Sequence, residues 1–322
     1  MYEFFQDLTS IVLPVFVIST MFNVGLTQKP TAIADNLRNW RFLVRMLFAN
    51  FIIVPSMMFA MVNLWDYEPA HAAGLMIMSV CAGAPFLIKL TQTSENDIAL
   101  GATVMMVLMV ATVVIAPVTL PFVIEGLNVD AWAIAQSLVV QMMLPIAVGM
   151  ILAQVVTSFA VTIQPWVARL GNLALYVVLG ATIIGYWPEI QDLVGTGAIA
   201  GGLVVLLFAF FVGYLFGDGQ DHLQDVGGLG TAQRNTAATL IIASDNFTDP
   251  AVFVIVSVVN TLGIIMLMVI ARGLSRDAGA AEGDPDRGDN RIFVDQRYMQ
   301  AERARRPWIT GAGSPVGSSP RD

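Results

Sequence analysis

Two cations set the chemical question in this chain. Lys89 and Arg234 each fall inside a long apolar stretch, and each sits beside glycines or a proline that interrupt it. Holding a basic group at mid-membrane depth costs about 2.5–3.5 kcal/mol on insertion scales, so such groups are rare and tied to function. Neither has an acidic mate inside its stretch; Glu95 and Asp97, near Lys89, stand at a helix junction. Arginine keeps its charge wherever it is placed, whereas a lysine taken out of water surrenders its proton more easily. Arg234 is therefore expected as a fixed positive charge facing an anionic group of a substrate. Lys89 either joins it or cycles a proton. The competing reading has one of the two reaching for the headgroup layer or clamping carbonyls freed by a broken helix. Amides and hydroxyls at depth need partners, which adds Asn50, Gln92, Gln233, Asn235, Thr236 and Asn260 as candidates to line the same site. A single buried amide more often glues helices together than binds a ligand.

Other chemistries are set aside on composition and motif. There is no Gly-rich phosphate loop with its Lys-Ser/Thr, no HExxH and no GxSxG, which argues against an enzyme and against ATP-driven transport by this chain alone. His71 and His222 lie at span ends without zinc spacing, so neither a metal nor a cofactor is expected. The one cysteine, Cys81, forms no intrachain disulfide; it is read as packing, with binding of a soft oxyanion as the chemical alternative. No basic patch is interleaved with aromatics, so nucleic acid is not an expected partner.

The elements that must position these residues are membrane helices. Of 322 residues 56% are hydrophobic and only 12% charged, with a mean hydropathy of +0.71, where a soluble domain carries about 25% charge. A spanning helix needs about 20 apolar residues. Nine candidates lie roughly at 8–27, 42–64, 71–92, 97–122, 131–156, 164–187, 196–216, 226–244 and 250–271. Runs such as Gly101–Leu120 do not alternate in polarity, which excludes a β-barrel. The N-terminal run lacks a basic leader and is interrupted by Pro14, so it is not a secretory signal.

Lys and Arg then orient the bundle. Lys29, Arg38, Arg41 and Arg45 flank the first loop, and Arg272 and Arg276 open a tail with seven more arginines. The loops near 64–70, 123–130, 188–195 and 245–249 hold acids but no Lys or Arg. Nine spans put the first loop and the tail on one side, as the charges demand. The expectation is a plasma (inner) membrane protein with its N-terminus outside and its C-terminus cytoplasmic. Residues 1–272 are expected to form the nine-span domain, in halves of about 1–125 and 131–272, and 277–322 a mostly disordered tail rich in Gly, Pro, Asp, Arg and Ser. A short amphipathic piece around Ile292–Arg303 is read as resting on the membrane.

Two spans are interrupted. The third runs LMIMSVCAGAPFLIKLTQTSEND, with Gly83 and Pro85 in its middle. The eighth runs DVGGLGTAQRNTAATLIIASDN, with three glycines followed by the polar knot Thr231, Gln233, Arg234, Asn235 and Thr236. Irregular backbone at membrane depth is tolerated only when buried in protein or lining a cavity. The third span enters from outside and the eighth from inside, and one helix follows each. First pairs with sixth and second with seventh, leaving the fifth without a mate. Irregular spans at matching places in inverted halves point to a transporter's central site. The fold class is thus an all-α polytopic membrane protein with an inverted repeat, and its partners are the lipid bilayer and a small organic anion.

These residues resemble the bile acid:sodium symporter superfamily in its nine-helix form. The resemblance covers about residues 8–272 and rests on FNVGLTQKP (Phe22–Pro30), ANFIIVP (Ala49–Pro55), CAGAPFLIKLTQTSENDIAL (Cys81–Leu100) and GTAQRNTAATLIIA (Gly230–Ala243). It implies a core and a panel domain, interrupted helices that cross in the core, and alternating access of an organic anion between the two. It also implies sodium sites, and there the chain departs. Leu87 and Ile88 stand where the family has a Ser-Asn pair, and Gly101 and Met105 where it has hydroxyls. Gly230 stands where it has a Glu, and Arg234, Asn235 and Thr236 replace a Gln-Asn-Ser run. Asn50 is the counterpart of the family's Gln. Losing a carboxylate and gaining two cations should repel sodium in a low-dielectric site, so transport is expected as sodium-independent uniport, exchange or proton coupling. The alternatives are sodium symport through rebuilt sites, and an anion channel or a non-transporting sensor. The oligomeric state is left open.

Overall fold

The computed structural model describes residues 2–28, 30–124 and 131–280. The tail beyond 280, the Ile292–Arg303 piece and Lys29 lie outside the described residues. Met1–Ser275 form one compact unit, and the chain from Arg276 onward is a separate one.

Every element in the described residues is helical. Helix α1 spans Tyr2–Thr27 and a short α2 spans Pro30–Asn36. Helix α3 runs Trp40–Trp65. The third span is two half-helices, α4 (Pro69–Val80) and α5 (Phe86–Thr93). Then come α6 (Ile98–Val123), α7 (Ala131–Val155), α8 (Thr157–Gly185), a short α9 (Trp187–Leu193) and α10 (Ala198–Leu215). The eighth span is again divided, into α11 (Asp221–Ala232) and α12 (Thr236–Asn246), and α13 spans Pro250–Ala280. Among the described residues seven helices are long and apolar enough to cross a bilayer; with the two divided spans this gives the nine expected. The first and sixth spans begin earlier than their apolar runs, at Tyr2 and Thr157. Backbone hydrogen bonding continues past the hydrocarbon, so helix ends outlast the hydrophobic signal.

The helices sort into two groups. Helices α1, α7 and α8 pack on one another. A Cβ on Gly25 of α1 would strike the Ile146 carbonyl of α7, and one on Gly149 would come within 2.5 Å of the Phe22 carbonyl. Small residues let these backbones touch, which is how membrane helices associate without a hydrophobic drive. This trio is the panel. The other six spans form the core, with both divided helices at its centre. Helix α3 carries a π-turn over Ala49–Ile53, in which the Val54 amide reaches back to the Ala49 carbonyl. Pro55 follows and can donate no hydrogen bond. The wide turn absorbs that loss and puts Asn50, fully buried, on the core side of the helix. Helix α7 repeats the device at Val139–Met143, before Pro145.

Candidate functional site

The two breaks meet. Between α4 and α5 the chain is extended at Cys81 and turns through Gly83 at φ +78°. Between α11 and α12 it is extended at Gln233. Ala82 and Arg234 form one antiparallel bridge, and the Asn235 amide donates to the Cys81 carbonyl at 2.9 Å. Two strand-like segments, each too short to be a strand, thus satisfy one another where two helices stop. This is the crossing that the resemblance implied.

Side chains complete what the backbone leaves open. Asn235 Nδ2 donates to the Gly83 carbonyl at 3.1 Å, while its Oδ1 accepts the Ala238 amide and caps α12. Thr112, from α6, accepts the Ala82 amide at 2.9 Å and donates back to the Ala82 carbonyl at 3.0 Å. Arg234 is 1% exposed. Its Nη1 donates to the Ser79 carbonyl at 3.1 Å and its Nη2 to Asn50 Oδ1 at 2.7 Å. Ser79 lies in the last turn of α4, where unpaired carbonyls give the helix end about half a negative charge. A guanidinium fork satisfies both the hydrogen bonds and the charge. Asn50 in turn donates to the Met46 carbonyl at 2.9 Å and to Thr231 at 3.3 Å. Gln233 Nε2 donates to the Arg234 carbonyl at 3.1 Å. Arg234 Nε and Gln233 Oε1 are buried without a partner.

Of the expected residues, the structure brings together Arg234, Asn235, Gln233 and Asn50. Asn260 is buried one layer away, donating to Thr239 of α12 at 3.0 Å, and Thr236, half-buried, opens α12. Lys89 and Gln92 are exposed on α5 and take no part in the crossing's hydrogen bonds. The pocket shared by Lys89 and Arg234 is therefore not what the side chains form. Arg234 clamps the freed Ser79 carbonyl and the Asn50 side chain, while Lys89 is exposed.

Around Gly230 the site is hydrocarbon. A Cβ there would lie 3.1 Å from Val104 Cγ1, 3.3 Å from Leu87 Cδ2 and 3.7 Å from Met46 Cε. All three side chains are buried, as is Met105. The positions where a carboxylate and hydroxyls would gather oxygens are filled by Leu and Val branches and Met sulfur tails.

Thr112 was not a candidate on sequence. Its signal is a lone hydroxyl at mid-span, and most hydroxyls in these helices bond their own preceding turn, as Thr91 and Thr103 do. Replacing Thr112 with valine keeps the shape, strands the Ala82 amide and leaves its carbonyl only the 3.4 Å bond from Asn235 Nδ2. We expect it to lower stability by about 1–3 kcal/mol, read as a lower unfolding midpoint in detergent.

Two broken helices crossing inside an all-α bundle, flanked by a separate helical panel, define an inverted-repeat membrane transporter fold. The chain belongs to the Sodium Bile acid symporter family, whose model matches residues 14–191. Its relatives include the probable sodium/metabolite cotransporter BASS1, chloroplastic, of Arabidopsis thaliana, 24% identical over 263 residues, covering 78% of this chain and 64% of that protein. The probable sodium/metabolite cotransporter BASS5, chloroplastic, of Oryza sativa subsp. indica is 26% identical over 271 residues, covering 77% and 66%. The chain spans just under two thirds of the length of these relatives.

Proposed function

We propose that this chain is a secondary transporter that carries a small organic anion across the membrane by alternating access of core against panel, without sodium. The observation that carries the reading is the Arg234 guanidinium, buried at the crossing and joined to Asn50 and Ser79, beside a Gly230 packed in hydrocarbon. A sodium ion needs oxygens gathered around it, whereas this site already holds a tethered positive charge. In a low-dielectric interior that charge repels a second cation and draws an anion toward the crossing. The arginine-bearing end of the bundle, with Arg38, Arg41 and Arg45, lies at the cytoplasm of a plasma membrane by the same charge rule.

The test is uptake of labelled anions into proteoliposomes: a short monocarboxylate, a 2-keto acid and a larger amphipathic acid. Saturable flux that is the same in sodium and in choline is the expected result. Flux that follows an imposed sodium gradient would reject the reading, and unsaturable flux would make the chain a channel. Lys89→Arg keeps the charge and removes titration. Because Lys89 is exposed and outside the crossing, we expect this variant to retain both flux and its pH profile.

Alternation requires core and panel to part, and a polar clasp joins them in this conformation. Ser137 and Gln141, both on panel helix α7, donate to Asp245 Oδ2 at the end of α12, at 2.9 and 3.1 Å. Each such bond is worth about 0.5–1.5 kcal/mol. Asp245→Ala should favour opening at this end. The measure is faster maleimide labelling of a cysteine placed at Leu138, which is fully buried beside the clasp, with Cys81 too deep to interfere.

A further inference from the structure

At the arginine-bearing end, the start of α3 forms a charged cleft that the transport reading leaves unused. It is an open cleft of about 410 Å³, lined by Arg38, Arg41, Arg45, Asn39, Trp40 and Asp218, among others. That volume is in the range of small-molecule sites, roughly 300–1,000 Å³. Arg41 and Arg45, four residues apart, share one side of the helix start, and Arg38, in the turn before it, lines the same cleft. Arg41 lies over the Trp40 indole, 5.6 Å from its centroid. Arg45 pairs with Asp218 at 3.0 Å and also donates to the Phe216 carbonyl at 3.4 Å. Arg38 and Arg41 have no acidic partner among the described residues. No side chain caps the N-terminus of α3, so the positive end of its dipole adds to the guanidinium charges. Three cations thus face one carboxylate.

A second feature says what the cleft receives. Trp40, Val44, Phe48 and Ile52 are 61%, 53%, 52% and 54% exposed. Their spacing of four makes a continuous apolar stripe down α3 that begins at the arginines. A free phosphate would use the arginines and ignore the stripe. An amphiphile with an anionic head uses both: its phosphodiester pairs with the planar guanidinium forks and its acyl chains lie along the stripe. Trp40, at the junction, is the residue type that sits at the headgroup level, and anionic lipid is what draws basic clusters to a cytoplasmic membrane surface.

We propose that this cleft is a binding site for one anionic phospholipid, held by Arg38 and Arg41 with Arg45 shared between the lipid phosphate and Asp218. Through Arg45 the lipid braces α3, which carries Asn50, against the loop that leads into the second broken helix.

The test uses the full chain in detergent micelles doped with phosphatidylglycerol, with phosphatidylcholine, or supplied with inorganic phosphate. A lipid that binds only the folded protein raises the unfolding midpoint as its concentration rises. Phosphatidylglycerol should raise the midpoint, with phosphatidylcholine and inorganic phosphate giving little. The Arg38→Gln, Arg41→Gln double variant, altered only at exposed positions, should unfold at the same midpoint without lipid and lose the phosphatidylglycerol shift. Asp218→Asn removes the competing carboxylate, and half-maximal stabilisation should then need less phosphatidylglycerol. A shift as large with phosphatidylcholine, or one retained in the double variant, overturns the site. An equal shift with inorganic phosphate overturns the lipid as its occupant. Native mass spectrometry of the same samples counts the lipid directly, with one bound phosphatidylglycerol expected on the wild type and none on the double variant.

Discussion

Arg234→Met should abolish anion flux while leaving a protein that still folds. The two consequences separate because the guanidinium does two things. As a clamp it satisfies Asn50 Oδ1 and the Ser79 carbonyl, and losing it leaves two buried acceptors short of a donor, at about 1–3 kcal/mol each. Part of that loss is offset, because a charge no longer has to be kept out of water. As a charge it sets the potential at the crossing, and nothing else there replaces it. A hundredfold loss of rate corresponds to about 2.7 kcal/mol, and we expect at least that. Two more variants separate the roles. Arg234→Lys keeps the charge without the two-pronged fork, and Arg234→Gln keeps hydrogen bonding without the charge. If charge matters for transport, the lysine variant retains more initial rate in proteoliposomes than the glutamine variant, although both lose stability. The reverse order would reduce Arg234 to a structural clamp.

Gly83→Ala should remove the folded protein almost entirely. Gly83 has φ +78°, a conformation that costs an L-residue about 1–2 kcal/mol. It also lies against the backbone of α6: a Cβ would strike the Met109 amide and lie 2.6 Å from the Met105 carbonyl. Backbone atoms of a long helix cannot step aside as a side-chain tip can, and overpacking typically costs a further ~1–3 kcal/mol. The damage falls on the crossing, since the Gly83 carbonyl accepts from Asn235. Gly219→Ala is the control, with φ +75° but open space around it. It carries the conformational cost alone, so yield and unfolding midpoint in detergent should fall far less.

How much of this was legible in the sequence follows from what the bilayer makes costly. Spans are readable because each must carry about 20 apolar residues, and the breaks because Gly83, Pro85 and the glycines before Thr231 cannot be casual at that depth. Arg234, Asn235, Gln233 and Asn50 stood out for the same reason, since polar groups in hydrocarbon are scarce. The direction of a side chain was not readable. Each helical step rotates by about 100°, and on the eight-residue α5 a cation four positions past Pro85 can face the crossing or face away. Lys89 is exposed, because Leu87 and Leu90 take the buried positions. Thr112 was hidden because a threonine in a helix ordinarily bonds its own preceding turn, and only the approach of Ala82 turned it outward. The sealing of the Gly230 region depends on Val104, Leu87 and Met46 converging from three helices, and no local pattern announces such a meeting.

The two breaks are built differently: the first turns through Gly83, and the second carries the buried Arg234. A transporter assembled from two interchangeable halves would show either compartment the same face at the same energy, because exchanging the halves converts one state into the other. Breaks of unlike chemistry lift that degeneracy. One orientation is then the ground state even in an empty bilayer with no gradient, and the rates of resetting from the two sides differ. Net flux still follows the solute's own electrochemical potential, but the half-saturating concentrations measured from the two faces should not be equal.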